Sequence, residues 1–273
     1  MPELPEVETI ARGLNLRVVG DRIESVWIGK KPEPLKSSAA MIVQTLEGTR
    51  VEQVRRVGKH IVFDLQPDQR AQTNRRRQWV VHLGMTGRML VAQPENELAS
   101  HTHLIAKLSS GRELRFVDPR RFGRLEVRDE SFHGPGSEPL QIPLQDFIRL
   151  FHNSKAPIKA ALLNQKLLHG VGNIYADESL IRAGIRPRRR ANTLTHEELK
   201  KLLAALQRVL REAIAAGGSS VSDYVDADGE EGFFQLRHRA YGREGKPCLK
   251  CKTRIKKITV AGRGTHYCPK CQK

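Results

Sequence analysis

The chain has 273 residues, room for about two domains, and 47 Lys and Arg against 30 Asp and Glu give a formal charge of +17. That excess points to a polyanionic partner, and the low aromatic share of 5% argues against a broad stacking platform for single strands. No run approaches the roughly 20 apolar residues of a membrane span and the start carries no basic-then-apolar signal, so a cytoplasmic protein without a membrane partner is expected.

The chain opens Met1-Pro2-Glu3-Leu4-Pro5-Glu6-Val7-Glu8-Thr9. Aminopeptidase removal of Met1 would leave Pro2 as the first residue, with a secondary α-amine. An α-amine titrates near pH 8, so part of it is unprotonated at neutral pH and able to attack a sugar or carbonyl carbon. Glu3 stands beside it as an acid or base. Without further context, Pro2 and Pro5 read as residues that stiffen a tail and open a helix.

Residues 4–18 have helical spacing, with Val7, Ile10, Ala11 and Leu14 on one face and Glu6 and Glu8 near the positive end. Strand-like runs follow at 22–28, 49–57, 60–65, 79–83, 88–91, 103–108, 113–117 and 124–127, with a Ser109-Ser110-Gly111 hairpin turn. Residues 66–78 are irregular and carry Arg75-Arg76-Arg77, which read first as a solvated basic loop. The pattern predicts a β-sandwich domain over 1–130. Pro, Gly and Ser mark a linker over 131–143.

Helical spacing then dominates at 144–152, 157–164, 173–183 and 195–216, with Thr195 and Glu198 forming a capping box. A helical DNA-binding domain is expected over 144–247. Within it, about 217–235 is a polar, acidic, glycine-punctuated loop; its acids lack the twelve-residue ligand pattern of a calcium loop.

All four cysteines lie in the last 26 residues, as Cys248-x2-Cys251 and Cys268-x2-Cys271. Two such knuckles bring four thiolates to one tetrahedral Zn²⁺, and four sulfur ligands leave no open position, so the zinc is structural. Two disulfides are the lesser reading in an intracellular protein. Residues 248–273 thus form a finger, with 254–260 and 265–268 paired as a hairpin. Its tip, Ala261-Gly262-Arg263-Gly264, turns Arg263 outward, either as a phosphate contact or as a solvated loop arginine.

Taken in order, several motifs resemble those of the bacterial formamidopyrimidine-DNA glycosylases, which are DNA glycosylase/AP lyases for oxidised purines. They are the Pro2–Thr9 opening, Gly58-Lys59, His82-Leu83-Gly84-Met85, Asp118-Pro119-Arg120-Arg121-Phe122-Gly123, Gly170-Val171-Gly172-Asn173-Ile174-Tyr175-Ala176 and the four-cysteine finger. The resemblance implies an α+β multidomain fold: an N-terminal β-sandwich with an N-terminal helix, a helix-two-turn-helix domain and a β-hairpin zinc finger. It implies base excision repair through a Schiff base on Pro2, with Glu3 assisting ring opening and β,δ-elimination cutting the strand. Lys59 and Arg263 would act at the lesion and its phosphates, with Asn173 gripping the same phosphates. Met85, Arg120 and Phe122 would fill the hole left by the extruded nucleotide, and His101 and Lys159 would touch the DNA backbone. The loop at 219–235 would close over the base, with Ser219-Ser220 standing where the family leads one to expect threonines. A monomer associated with the nucleoid is expected. The rivals are a related glycosylase for oxidised pyrimidines and a zinc-finger protein that binds damaged DNA without cutting it. Leu4 after Pro2-Glu3 and the Arg120/Phe122 pair favour the purine enzyme, and the Pro2-Glu3 opening disfavours the pure binder.

Overall fold

The computed structural model describes residues 1–67, 77–220, 226–227 and 229–273, which divide into two compact units. The first comprises Met1–His133 and Gly217–Gly232, and the second Gly134–Ala216 and Phe233–Lys273.

The first unit opens with α1 (Leu4–Val18), which has proline in its first turn, Glu6 at the positive end and Arg17 at the negative end. Leu4, Val7, Ile10, Ala11, Leu14 and Val18 are its buried face. Eight strands follow: β1 (Ile23–Ile28), β2 (Arg50–Val57), β3 (His60–Gln66), β4 (Arg77–His82), β5 (Arg88–Ala92), β6 (Thr102–Leu108), β7 (Glu113–Val117) and β8 (Arg124–Arg128). They form two antiparallel four-stranded sheets, in the orders β1-β6-β7-β5 and β2-β3-β4-β8. Side chains of both sheets meet α1 in one core that includes Phe63, Trp79, Leu104 and Phe116. Phe63 stacks on Trp79 at 4.7 Å between ring centroids.

Sequence reading misses α2 (Ala39–Leu46). Pro32, Pro34 and the Ser37-Ser38 pair give the segment before it the look of a loop. Ser38 is in fact the helix cap, its side chain accepting the Met41 N–H at 3.2 Å, and Ile42 and Leu46 join the core.

The second unit contains α3 (Leu144–His152), α4 (Ile158–Leu163), α5 (Asn173–Ala183) and α6 (His196–Ala215). Thr195 and Glu198 exchange both capping-box hydrogen bonds at the start of α6. Gly184, at φ 74°, ends α5. The finger hairpin pairs β9 (Lys256–Val260) with β10 (Arg263–Tyr267). Its turn is tighter than the four-residue tip read from sequence. Only Ala261 and Gly262 lie in it, both at positive φ, so Arg263 is the first residue of β10, opposite Val260. Among the described residues, no helix is long and apolar enough to cross a membrane.

Candidate functional site

The head of α1 is compact. Pro2 and Glu3 are buried while Met1 is exposed. Glu6, itself buried, accepts the Glu3 backbone N–H at 2.8 Å through one carboxylate oxygen. Its other oxygen accepts the Ser219 N–H, also at 2.8 Å. One carboxylate therefore fixes both the chain beside Pro2 and the first residues of the acidic loop. Ser220 Oγ accepts the Gly232 N–H at 2.9 Å, joining the two ends of that loop. A Cβ on Gly232 would come within 2.4 Å of the Gly217 carbonyl oxygen, so only glycine fits the pinch. Ala227 is buried in the core cluster that includes α1. Residues 221–225 and 228, the rest of the loop read as a cover, lie outside the described residues.

Lys59 is buried in the turn between β2 and β3. Arg56 ties that turn to α1, because its guanidinium binds Glu8 at 2.7 Å and the Gly58 carbonyl at 3.3 Å. Arg75 and Arg76 of the basic loop lie outside the described residues.

His82, at the end of β4, packs on His60 at 4.9 Å, and its Nδ1 accepts the Gly84 N–H at 3.1 Å. Burial, then the charges of His60, Lys59 and Arg124, pull its pKa down to about 4. In the second unit, burial likewise pulls His238 down to about 4 against a backbone hydrogen bond with Tyr241. Both rings are neutral when folded and bind protons near pH 6.5 when unfolded. Between those values the unfolded chain holds more protons, so stability falls as pH drops from about 6.5 to about 4, and their contribution is flat below that. Denaturant unfolding at a series of pH values should show this slope in the parent and a shallower one in His82→Gln/His238→Gln. Equal slopes would remove both rings as its source.

Three predicted void-filling residues come from two loops that interlock. Gly84, beside Met85, is packed so tightly that a Cβ there would sit 2.5 Å from the Phe122 carbonyl carbon. Thr86 donates to Asp118 Oδ1 at 2.6 Å and accepts the Arg120 N–H at 3.3 Å. Asp118 Oδ2 accepts the Gly123 N–H at 2.7 Å. Arg121 sits at φ 57° and pairs with Glu33, which breaks the strand-like alternation between its neighbours. The Arg120 guanidinium then lies 5.0 Å over the Phe122 ring. Met85 and Phe122 are 41% and 49% exposed, so both tips are open to a partner. His101, at φ 68°, is exposed and its carbonyl accepts the Asp118 N–H at 3.0 Å.

In the second unit, Asn173 opens α5 and its Nδ2 donates to the Gly264 carbonyl at 3.0 Å. That bond brings Asn173 beside Arg263, the exposed residue next to Gly264. Lys159, read from sequence as a contact to the DNA backbone, lies inside the second unit. It is 0% exposed, with its ammonium 2.7 Å from Asp177 and donating to the Gly264 carbonyl and to Thr265 Oγ1. A side chain without exposed surface does not reach the DNA backbone in this conformation; it holds the hairpin that carries Arg263. Asp177 also accepts the His266 N–H at 2.8 Å. Tyr241 packs edge-on against His266, on a segment whose backbone N–H groups converge on Glu178. Burial raises the Glu178 pKa, and those N–H groups oppose the shift.

The four cysteine Sγ atoms lie within 4.8 Å of one another. The Sγ atoms of Cys248 and Cys271 are 3.9 Å apart, and those of Cys251 and Cys268 3.4 Å. These separations suit tetrahedral thiolates about 2.3 Å from one ion, so the residues fit a single structural Zn²⁺.

Three family models match successive parts of the chain. The formamidopyrimidine-DNA glycosylase N-terminal domain matches residues 1–125, the H2TH domain of the same enzymes 135–225, and the zinc finger found in FPG and IleRS 245–273. A formamidopyrimidine-DNA glycosylase from Desulfitobacterium hafniense is 42% identical over 281 residues, covering 100% of both chains. The chain belongs to the formamidopyrimidine-DNA glycosylase family. Among solved structures, Lactococcus lactis Fpg bound to DNA containing N7-benzyl-Fapy-dG aligns with a TM-score of 0.89, 34% identity and full coverage of both chains. A MutM complex with DNA containing carbocyclic 8-oxo-G aligns at 0.88, again with 34% identity and full coverage of both.

For a formamidopyrimidine-DNA glycosylase, sequence reading misses Glu6, His82, Asp118 and Asp177 as organisers of the site. Asp118 and His82 stand inside quoted motifs, so a signal was present. Glu6 reads as ordinary first-turn acid, and Asp177 as one polar position within a helix.

Proposed function

We propose that this chain is a bifunctional DNA glycosylase/AP lyase that removes oxidised purines, 8-oxoguanine and formamidopyrimidines, from duplex DNA in base excision repair. Family membership over the full length supports the activity, and the relatives solved with lesion-containing DNA support the substrate. We read it as a cytoplasmic monomer that meets its substrate in the nucleoid.

Once Met1 is removed, the Pro2 nitrogen attacks C1′ of the damaged nucleotide. The C1′–base bond breaks and the base leaves with the electron pair. Protonation of the ring oxygen, a role for Glu3, opens the sugar and leaves an iminium on Pro2. Loss of a C2′ proton expels the 3′-phosphate, and a second elimination expels the 5′-phosphate. Lys59 is the second cation near the reacting sugar. Asn173 and Arg263 hold the flanking phosphates, and Met85, Arg120 and Phe122 fill the vacated stack. Zinc, held by Cys248, Cys251, Cys268 and Cys271, stabilises the finger and takes no part in the chemistry.

The observation that carries this reading is the buried Pro2–Glu3 head, clamped by Glu6 to the base of the acidic loop. A passive DNA binder has no need of a pre-set N-terminal amine beside a carboxylate. Borohydride trapping on a duplex with one 8-oxoguanine opposite cytosine, with Met1 loss checked by mass, tests it. A covalent adduct is expected. Absence of any adduct on that duplex and on an abasic duplex would refute the lyase reading.

A further inference from the structure

The run Arg186-Pro187-Arg188-Arg189-Arg190 takes no part in the site described above. It forms a β-turn of the second unit, closed by the Arg189 N–H donating to the Arg186 carbonyl at 3.1 Å. Its carbonyls are held by the start of α4, with Ile158 N–H on Arg189 at 2.7 Å and Lys159 N–H on Pro187 at 3.3 Å. The Arg186 N–H binds the Lys273 carbonyl at 2.9 Å. Pro187 is buried and Arg189 half-buried, while Arg186, Arg188 and Arg190 are exposed.

The charges differ as sharply as the exposure. Arg189 is neutralised by Glu198 through two hydrogen bonds, at 2.5 and 3.0 Å. Among the described residues, Arg186, Arg188 and Arg190 have no ion pair. Arg188 donates to the Thr259 carbonyl of β9 at 3.2 Å, which sets the run against the finger. The Arg186 guanidinium lies 5.7 Å over the Tyr267 ring, and exposed Lys256 pairs with Tyr267 across the hairpin. From residue 248 to the end, the finger contains no Asp or Glu. Three guanidinium groups without an ion-pair partner, clustered on one turn beside a finger that has no acids, repel one another unless a polyanion relieves them.

We propose that Arg186, Arg188 and Arg190, with Lys256, form a second phosphate-contact track that engages duplex backbone beyond the nucleotides flanking the lesion. This rests on the DNA-repair reading above. Its consequence is that affinity and salt dependence increase with duplex length, independently of the lesion.

The test compares the parent protein with Arg188→Ala/Arg190→Ala on two duplexes carrying the same central abasic analogue, one of about 10 and one of about 30 base pairs. Zinc content and thermal unfolding confirm that the variant is folded. On the long duplex, two lost phosphate contacts should reduce the slope of log K against log salt by about 1.8. On the short duplex, affinity and slope should match those of the parent. An unchanged slope on the long duplex overturns the proposal and leaves an acidic protein surface as the partner. Equal losses on both duplexes overturn it too, by assigning the arginines to the lesion-flanking contacts. If the parent itself bound neither duplex, the repair reading would fail first, and the two failures stay distinct.

Discussion

Replacing Pro2 with glycine should abolish strand cleavage and borohydride trapping while leaving DNA affinity almost intact. The residue precedes the Glu3 cap of α1, and the helix starts at Leu4, so the substitution removes no helical hydrogen bond. What changes, once Met1 is removed, is the reacting group: a ring-constrained secondary amine becomes a mobile primary one. Loss of a covalent nucleophile removes a path rather than a contact, so a fall of at least about 10³-fold in cleavage is expected. Affinity for an abasic-analogue duplex should stay within about threefold, under 1 kcal/mol, because the cations that hold phosphate are untouched. Retaining Met1 should have the same effect, since an amide nitrogen is no nucleophile. Cleavage at the parent rate by a glycine variant of verified mass would sink the assignment. Weakened binding in step with cleavage would point instead to a structural role for the proline.

The outline of the fold was legible because its signals are local. Alternation set eight strands, helical spacing set α1 and the four helices of the second unit, and paired C-x2-C knuckles set the finger. The missed α2 shows the limit of that reading. Its cap is a single serine behind two prolines, and its apolar residues become a helix face only once β1 and β8 offer a surface. The residues of the site were legible as motifs, but their supports were not. Nothing in the spacing of Glu6 and Ser219 announces a hydrogen bond across 213 positions. The role of Asp177 likewise depends on α4, α5 and β10 meeting in space. Long-range pairing of buried polar groups has no period to read, and the burial of Lys159 against Asp177 is one such pairing.

Lys159 is therefore the position where a holding role and a phosphate contact make opposite predictions. Its ammonium and the Asp177 carboxylate are 2.7 Å apart, both at 0% exposure. Removing one member of such a pair leaves a buried charge uncompensated, so Lys159→Met should destabilise the protein by about 3–5 kcal/mol in denaturant unfolding. Removing both charges, as Lys159→Met/Asp177→Leu, should cost less than the sum of the single changes, because neither charge is then stranded. The double variant still loses the Asp177 bond to the His266 N–H, so recovery should be partial. Arginine should not rescue, since a site without exposed surface has no room for the larger guanidinium. DNA binding supplies the deciding readout. A residue that holds the hairpin from behind leaves the number of phosphate contacts to Arg263 and its neighbours, so the salt slope of the folded variant should stay at the parent value. A direct backbone contact would instead flatten that slope by about 0.9 and leave stability within about 0.5 kcal/mol. That second pattern would restore the contact read from sequence and require the hairpin to open when DNA binds. The first would make the Lys159–Asp177 pair the means by which the zinc finger's arginine is held beside Asn173.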